Sequence, residues 1–298
     1  MTRVAVSGAS GLIGSALRAS LEADGHQVLP LLRPGRPGHG IAWDPERGTI
    51  DARALAGVDA VVHLAGEGVA ARPWTQRHRD AVLSSRVDGT TLLATALSGL
   101  DRPPHVLVSG SAIGYYGTRG DELLTEASTA GHDFLAAVCV AWEEATAAAQ
   151  SAGVRTVHVR TGMVLSSRGG ALGPQRALFR AGLGARAGRG SQWLSWIHLD
   201  DEVGAIRHAL EHDGVAGAVN LTAPEPVTNA EFARAFAGSF GRRARLVIPR
   251  LATLAPFGVG PLVDSLLFAS QRVVPEVLAR TGYGFRHPDL GEALASLV

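Results

Sequence analysis

The sequence predicts an α/β fold in which a doubly wound parallel sheet carries a small, mostly helical C-terminal lobe, and three observations predict it. The chain begins with a short apolar run, residues 4–6, then glycines at Gly8, Gly11 and Gly14, then a helical pattern over residues 15–23. Apolar strand-like runs alternate with helical stretches as far as Arg160, a spacing that a parallel sheet with crossover helices accommodates. Beyond Arg160 the strands become too few for a second sheet domain.

The first stretch, VAVSGASGLIG, reads as a strand, a tight turn and a helix start. Gly8 permits the turn, Gly11 lets a pyrophosphate approach the backbone, and Gly14 lets the helix pack close to the strand. The helix amino terminus then turns its unpaired N–H groups toward phosphates. The spacing is G-x-x-G-x-x-G, and its position between an initial strand and a helix is what points to a dinucleotide. Residues 28–32 form the second strand, which ends at Arg33 before a Gly- and Pro-rich loop over 34–40. An acidic residue there would bind both ribose hydroxyls of NAD, whereas an arginine accepts a 2′-phosphate, so Arg33 favours NADP(H).

Residues 41–44 read as a short strand and 58–64 as a buried one, after which the small Ala65 and Gly66 let the chain pass close under a bound nucleotide. A long helix over 77–97 leads to a strand over 105–109, which runs into SGSAIGYYG; a helix over 133–152 precedes a strand over 155–160. A Gly-rich segment, 162–190, leads to SWIHLDD, whose aspartates read as the cap and first turn of a helix ending near His212. A strand over 218–221, a helix over 229–240 and a strand over 246–248 follow. Residues 251–269 are apolar, but Pro256, Gly258, Gly260, Pro261 and Asp264 break them. That pattern predicts a broken helix over a pocket or a subunit contact and not a membrane span. The chain thus divides into a dinucleotide-binding core, 1–165, and a mixed segment, 166–298, that completes the core and forms the substrate-side lobe.

With 298 residues, 46% of them hydrophobic, the chain can bury a large core. A formal net charge of +1 provides no overall field for a nucleic acid, and Arg242, Arg243 and Arg245 read as a solvated face. The single cysteine, Cys139, excludes an intramolecular disulfide and a cysteine zinc site. That usage, and a start that leads from Met1, Thr2 and Arg3 straight into the first strand without a signal-peptide pattern, predict a cytoplasmic protein. A small-molecule substrate is expected, with no nucleic acid and no membrane partner; a homodimer is left open.

GASGLIG, HLAG, DGT at 88–90 and SAIGYYG, in this order, resemble the extended short-chain dehydrogenase/reductase superfamily. WDP at 43–45, SRV at 85–87, WEEA at 142–145, GAL at 170–172, SWIHLDD, NLTAPEPVTN at 220–229 and SQRVVPEVL at 270–278 resemble its atypical branch. Members of that branch are the epimerase family proteins, or sugar-nucleotide epimerase-like proteins, with a distinctive C-terminal segment. The resemblance spans nearly the whole chain and implies a Rossmann fold with an NADP-type cofactor, but no particular substrate. It places Gly8, Ser10, Gly11, Leu12, Ile13 and Gly14 on the phosphate loop and Ala65 and Gly66 on the loop after the fourth strand. Ser111 falls on the active-site serine or threonine, Arg86 stands where relatives often place an asparagine, and Thr161 and Gly162 fall where relatives contact the nicotinamide.

Ordinary members of that superfamily carry Tyr-x-x-x-Lys on the helix after the serine strand, because residues at i and i+4 share one helix face. The tyrosine transfers the proton, and the lysine lowers its pKa and holds the ribose. Here that helix reads DFLAAVCVAWEEA, with neither residue; counting back from Glu143 puts Leu135 and Cys139 at the two places. Ser111 with Tyr116 is the nearest pair that could replace them. A tyrosine without a neighbouring lysine keeps a pKa near its reference of about 10, which favours proton donation during carbonyl reduction.

Cys139 reads as a small buried hydrophobe and His198 as a structural hydrogen-bonding residue. His198, Asp200 and Asp201 lack further ligands at metal spacing, so no metal site is expected. Trp74, Trp193 and Trp196 line an aromatic pocket or belong to the core. Two functions remain: an NADP-dependent oxidoreductase or epimerase-like enzyme, and a non-catalytic NADP(H)-binding sensor or structural protein.

Overall fold

A computed structural model describes residues 2–298. The first strand, β1 (Arg3–Ser7), leads into helix α1 (Leu12–Ala23), then β2 (Gln27–Leu32), β3 (Ile41–Asp44), β4 (Thr49–Ile50) and β5 (Ala60–His63). Helix α2 (Gln76–Ser98), β6 (Val106–Ala112), helix α3 (Phe134–Glu144) and β7 (Arg155–Thr161) follow, and helix α4 (Leu199–Glu211) precedes β8 (Gly217–Leu221). These eight strands form one sheet in the order β8-β7-β6-β5-β1-β2-β3-β4, parallel at every pairing except β3 with β4. The chain winds outward from β1 in both directions, so the crevice between the carboxyl ends of β1 and β5 is the topological switch point, where such sheets bind ligands.

Helices cover both faces of the sheet, which is why its central strands are continuously apolar. Successive side chains of β1 alternate between two cores. Val4 and Val6 join Leu17 and Leu21 of α1 and Ile206 of α4, whereas Ala5 joins Leu93 and Leu97 of α2. A third cluster, including Trp196, Phe232, Phe236, Leu290 and Leu294, forms the lobe. Its helix over Asn229–Gly238 starts at a capping box in which Thr228 and Glu231 satisfy each other's backbone N–H. In the lobe the expected strand Leu246–Ile248 pairs with a short strand that the sequence does not announce, Ala185–Ala187.

Three expectations are corrected. The helix expected over 133–152 breaks after Glu144 and resumes at Ala147–Ser151. Thr146 causes the break: its hydroxyl bonds back to the Glu143 carbonyl at 2.7 Å and also meets His158 Nε2 at 2.9 Å. Helix α4 is capped by His198, whose Nδ1 accepts from the Asp200 N–H, and the aspartates occupy its first turn. Strand β6 runs on to Ala112, so Ser111 sits within the sheet.

Residues 251–269 are a broken helix, as expected: a 3₁₀ turn over Arg250–Leu254, an α-turn over Val259–Val263 and a π-turn over Asp264–Phe268. The segment straps the lobe to the core, since the Trp74 N–H donates to the Gly258 carbonyl at 3.0 Å. Among the described residues no helix is long and apolar enough to cross a membrane. The C-terminal segment is sewn to the core by two carboxylates, the buried Asp201 and the half-buried Glu126. Asp201 accepts from the backbone N–H groups of Arg286 and His287 and from the Tyr283 hydroxyl, and Glu126 accepts from those of Asn220 and Val277.

Candidate functional site

At the switch point the backbone is packed too tightly for side chains. Gly8 has a φ of +68°, and a Cβ there would lie 2.9 Å from the Leu64 carbonyl carbon; one on Gly14 would overlap the Gly8 carbonyl. The ends of β1 and β5 are locked by the Ser7 hydroxyl, which meets His63 Nδ1 at 2.7 Å and accepts from the N–H groups of Leu64 and Ala65. Burial lowers the His63 pKa to about 4, so this ring is neutral.

Helix α1 begins at Gly11 with no side-chain cap, which leaves the N–H groups of its first turn, at Leu12, Ile13 and Gly14, for an anion. Ser10 and Gly11 are exposed beside them. Arg33 is exposed directly after β2. These residues fit a dinucleotide: the bare helix terminus and the glycines could hold a diphosphate, and the exposed Arg33 could meet a 2′-phosphate.

Further along the crevice lie Ala65 and Gly66, followed by Glu67, whose carbonyl accepts from Arg86 Nη1 at 2.9 Å. The Arg86 guanidinium lies 4.8 Å from the centre of the Trp142 ring. Cys139 is 4% exposed, and burial, with the Glu143 carboxylate nearby, pushes its thiol up to about 11, so it is a poor nucleophile. At the end of β6 the Ser111 hydroxyl donates to Glu143 Oε1 at 2.7 Å. Arg160 grips the same carboxylate with both arms, Nε to Oε1 at 2.8 Å and Nη2 to Oε2 at 2.9 Å. Because its proton is committed to Glu143, the buried Ser111 hydroxyl has only acceptor capacity left for a further partner.

Tyr116 does not join Ser111 in the crevice. Its side chain is 0% exposed; its hydroxyl donates to Asn220 Oδ1 at 2.7 Å and accepts from Arg160 Nη1 at 3.0 Å. Burial pushes its pKa up to about 12, and the Arg160 charge only partly offsets that. A hydroxyl so enclosed cannot reach a substrate without breaking both bonds, which corrects the expectation that Tyr116 donates a proton. The preference for reduction that rested on it goes too. Its neighbour Tyr115 is half-buried, with the Arg160 guanidinium 3.4 Å from its ring centre.

Thr161 and Gly162 close the carboxyl end of β7. A Cβ on Gly162 would come within 2.8 Å of the Ser195 carbonyl oxygen, and the Thr161 hydroxyl donates to Glu202 Oε1 at 2.8 Å. Glu202 is fully buried, its Oε2 has no partner among the described residues, and desolvation pushes its pKa up to about 8.

Asp200 sits between His198 and His287, whose rings stack at 3.9 Å, and one ligand-type atom from each of the three lies within 4.8 Å of the others. Sequence spacing could not reveal His287, which the C-terminal segment brings back. The His198 Nδ1 lone pair is already committed to capping α4, so the geometry serves the helix start. Trp196 is core, Trp74 is buried against Phe134, and Trp193 holds Asp121 through its indole N–H.

Sequence reasoning missed Glu143 as a functional partner, together with Arg160, Asn220 and Glu126. The available signal was charge where burial is expected: an arginine inside the apolar run of β7 requires a carboxylate within reach.

Residues 4–222 match the NAD dependent epimerase/dehydratase family, and residues 254–297 match a domain of unknown function, DUF1731. An epimerase family protein of Mycobacterium bovis is 45% identical over 293 residues, covering 98% of this chain and 96% of its own. The human epimerase family protein SDR39U1 is 38% identical over 299 residues, 99% of either chain. The crystal structure of that human protein with NADPH matches with a TM-score of 0.90 at 36% identity, covering 99% of both chains. The chain belongs to the NAD dependent epimerase/dehydratase family.

Proposed function

We propose that this protein is a cytoplasmic NADP(H)-dependent oxidoreductase or epimerase-like enzyme that acts on a small molecule. The observation that carries the cofactor is the uncapped start of α1 facing a crevice in which Gly8 and Gly14 leave no room for a Cβ, with Arg33 exposed at the end of β2. The human relative's structure with NADPH supports it. In this reading Gly8, Ser10, Gly11, Leu12, Ile13 and Gly14 hold the diphosphate, Arg33 the 2′-phosphate, and Ala65, Gly66, Arg86, Thr161 and Gly162 the nicotinamide half. When bound, the cofactor supplies or accepts the hydride.

Ser111 is the group of this chain nearest to the chemistry, orienting a substrate hydroxyl through its free lone pairs. A cavity of about 500 Å³ bordered by Asp121, Arg189, Gln192, Arg250 and Ser270 lies beside the turns after β6, and its two arginines suit an anionic substrate. The non-catalytic sensor or structural reading keeps two specific supports: the chain contains no lysine at all, and its buried Tyr116 is bonded away from the crevice.

Calorimetric titration with NADPH and NADH tests the cofactor. NADPH should bind more tightly, and Arg33→Ala should cost tenfold or more with NADPH while leaving NADH unchanged, since a charge-assisted bond contributes about 1.5–3 kcal/mol. Equal affinities for the two cofactors would sink the assignment. NADPH consumption against aldehydes, ketones and activated alkenes, with Ser111→Ala as control, then separates enzyme from sensor.

A further inference from the structure

The helix that should carry a lysine at the nicotinamide ribose carries Cys139 there, with its thiol buried and protonated. No other lysine can stand in, because all 28 basic residues of the chain are arginines. Among the described residues three arginines come close to the altered helix, and Arg79 meets only its first residue, 4.3 Å from the Phe134 ring centre. Arg160 is 4% exposed and neutralised by the two-pronged contact with Glu143, so its charge is already matched.

Arg86 differs in every respect that matters. It rises from the middle of α2, crosses the Trp142 ring at 4.8 Å and comes near enough to Cys139 for its positive charge to act on that thiol. Its guanidinium lies against the loop after β5: a Cβ on Gly66 would be 3.3 Å from its central carbon. Only Nη1 is engaged, by the carbonyls of Glu67 at 2.9 Å and Val82 at 3.0 Å; Nε and Nη2 have no partner among the described residues. Those two carbonyl bonds and the ring fix the plane of the group, so its remaining donors are held ready.

We propose that Arg86, reaching across from the neighbouring helix, supplies at the nicotinamide ribose the positive charge and hydrogen-bond donors that the missing lysine does not. This rests on the NADP(H) reading above and assigns Arg86 to one half of the cofactor. A guanidinium stays protonated near neutral pH, so it holds the ribose and takes no part in a proton relay.

The test uses binding alone, comparing NADPH with 2′,5′-ADP, which has the 2′-phosphate and adenosine but no nicotinamide half. Arg86→Ala should weaken NADPH tenfold or more and leave 2′,5′-ADP within twofold of the wild type. Arg33→Ala should weaken both ligands. Arg86→Lys should recover part of the loss, whereas Arg86→Gln, which can still bond the Glu67 carbonyl without a charge, should not. NADPH affinity unchanged in Arg86→Ala, or an equal loss for both ligands, would overturn the proposal, the latter by showing that Arg86 only holds the loop. Failure of the wild type to bind NADPH would instead remove the cofactor reading on which it stands.

Discussion

Replacing Tyr116 by phenylalanine separates a structural hydroxyl from a chemical one. The change deletes a single oxygen at a position with 0% exposure and leaves the ring in place. Asn220 Oδ1 loses its 2.7 Å donor, while Arg160 Nη1 loses its 3.0 Å acceptor and retains only a 3.4 Å contact to the Glu126 carbonyl. An orphaned buried acceptor costs about 1–3 kcal/mol and a bond to a charged group is worth about 1.5–3 kcal/mol, so a total near 2–4 kcal/mol is expected after partial relaxation. For a chain of this length one kcal/mol moves the melting temperature by about 1.6 °C, which predicts a drop of about 3–6 °C. Urea unfolding and calorimetry with NADPH on the same preparation are the assays, with cofactor affinity expected to stay at the wild-type value. A variant as stable as the wild type that has lost NADPH-dependent turnover would refute this reasoning and return Tyr116 to the chemistry.

Two further predictions concern buried carboxyls. Glu202 has its pKa raised from 4.5 to about 8, so the stability it contributes is fully present below 4.5 and is lost as pH rises through 8. Glu202→Gln should flatten the fall in urea midpoint across that window, and an unchanged slope would show that another group titrates there. Asp201→Ala removes the acceptor of the Arg286 and His287 N–H groups and of the Tyr283 hydroxyl, and should destabilise the protein by about 3 kcal/mol or more. Limited proteolysis should then cut first near residues 281–288; unaltered cleavage would mean that the segment is held elsewhere.

The sheet and the phosphate crevice were legible because local patterns determine them. Gly8 and Gly14 meet backbone within a few residues or across one strand pair, and the apolar alternation of β1 reports two covered faces. The site was legible only in part. Tyr116 looked catalytic because it follows the serine strand, yet its hydroxyl turns to Asn220, more than a hundred positions away, a pairing that no local pattern encodes. His287 reaches Asp200 by the same long return of the C-terminal segment. The break at Thr146 escaped helical periodicity because a side-chain bond to His158 of β7 competes with the helix there.

The structure of the protein crystallised with NADPH tests the account most directly. The diphosphate should lie on the N–H groups that open α1, the 2′-phosphate against Arg33, and the nicotinamide half between Arg86 and Ser111. Tyr116 should still donate to Asn220. A 2′-phosphate away from Arg33, or a Tyr116 hydroxyl swung out to face the nicotinamide, would contradict it.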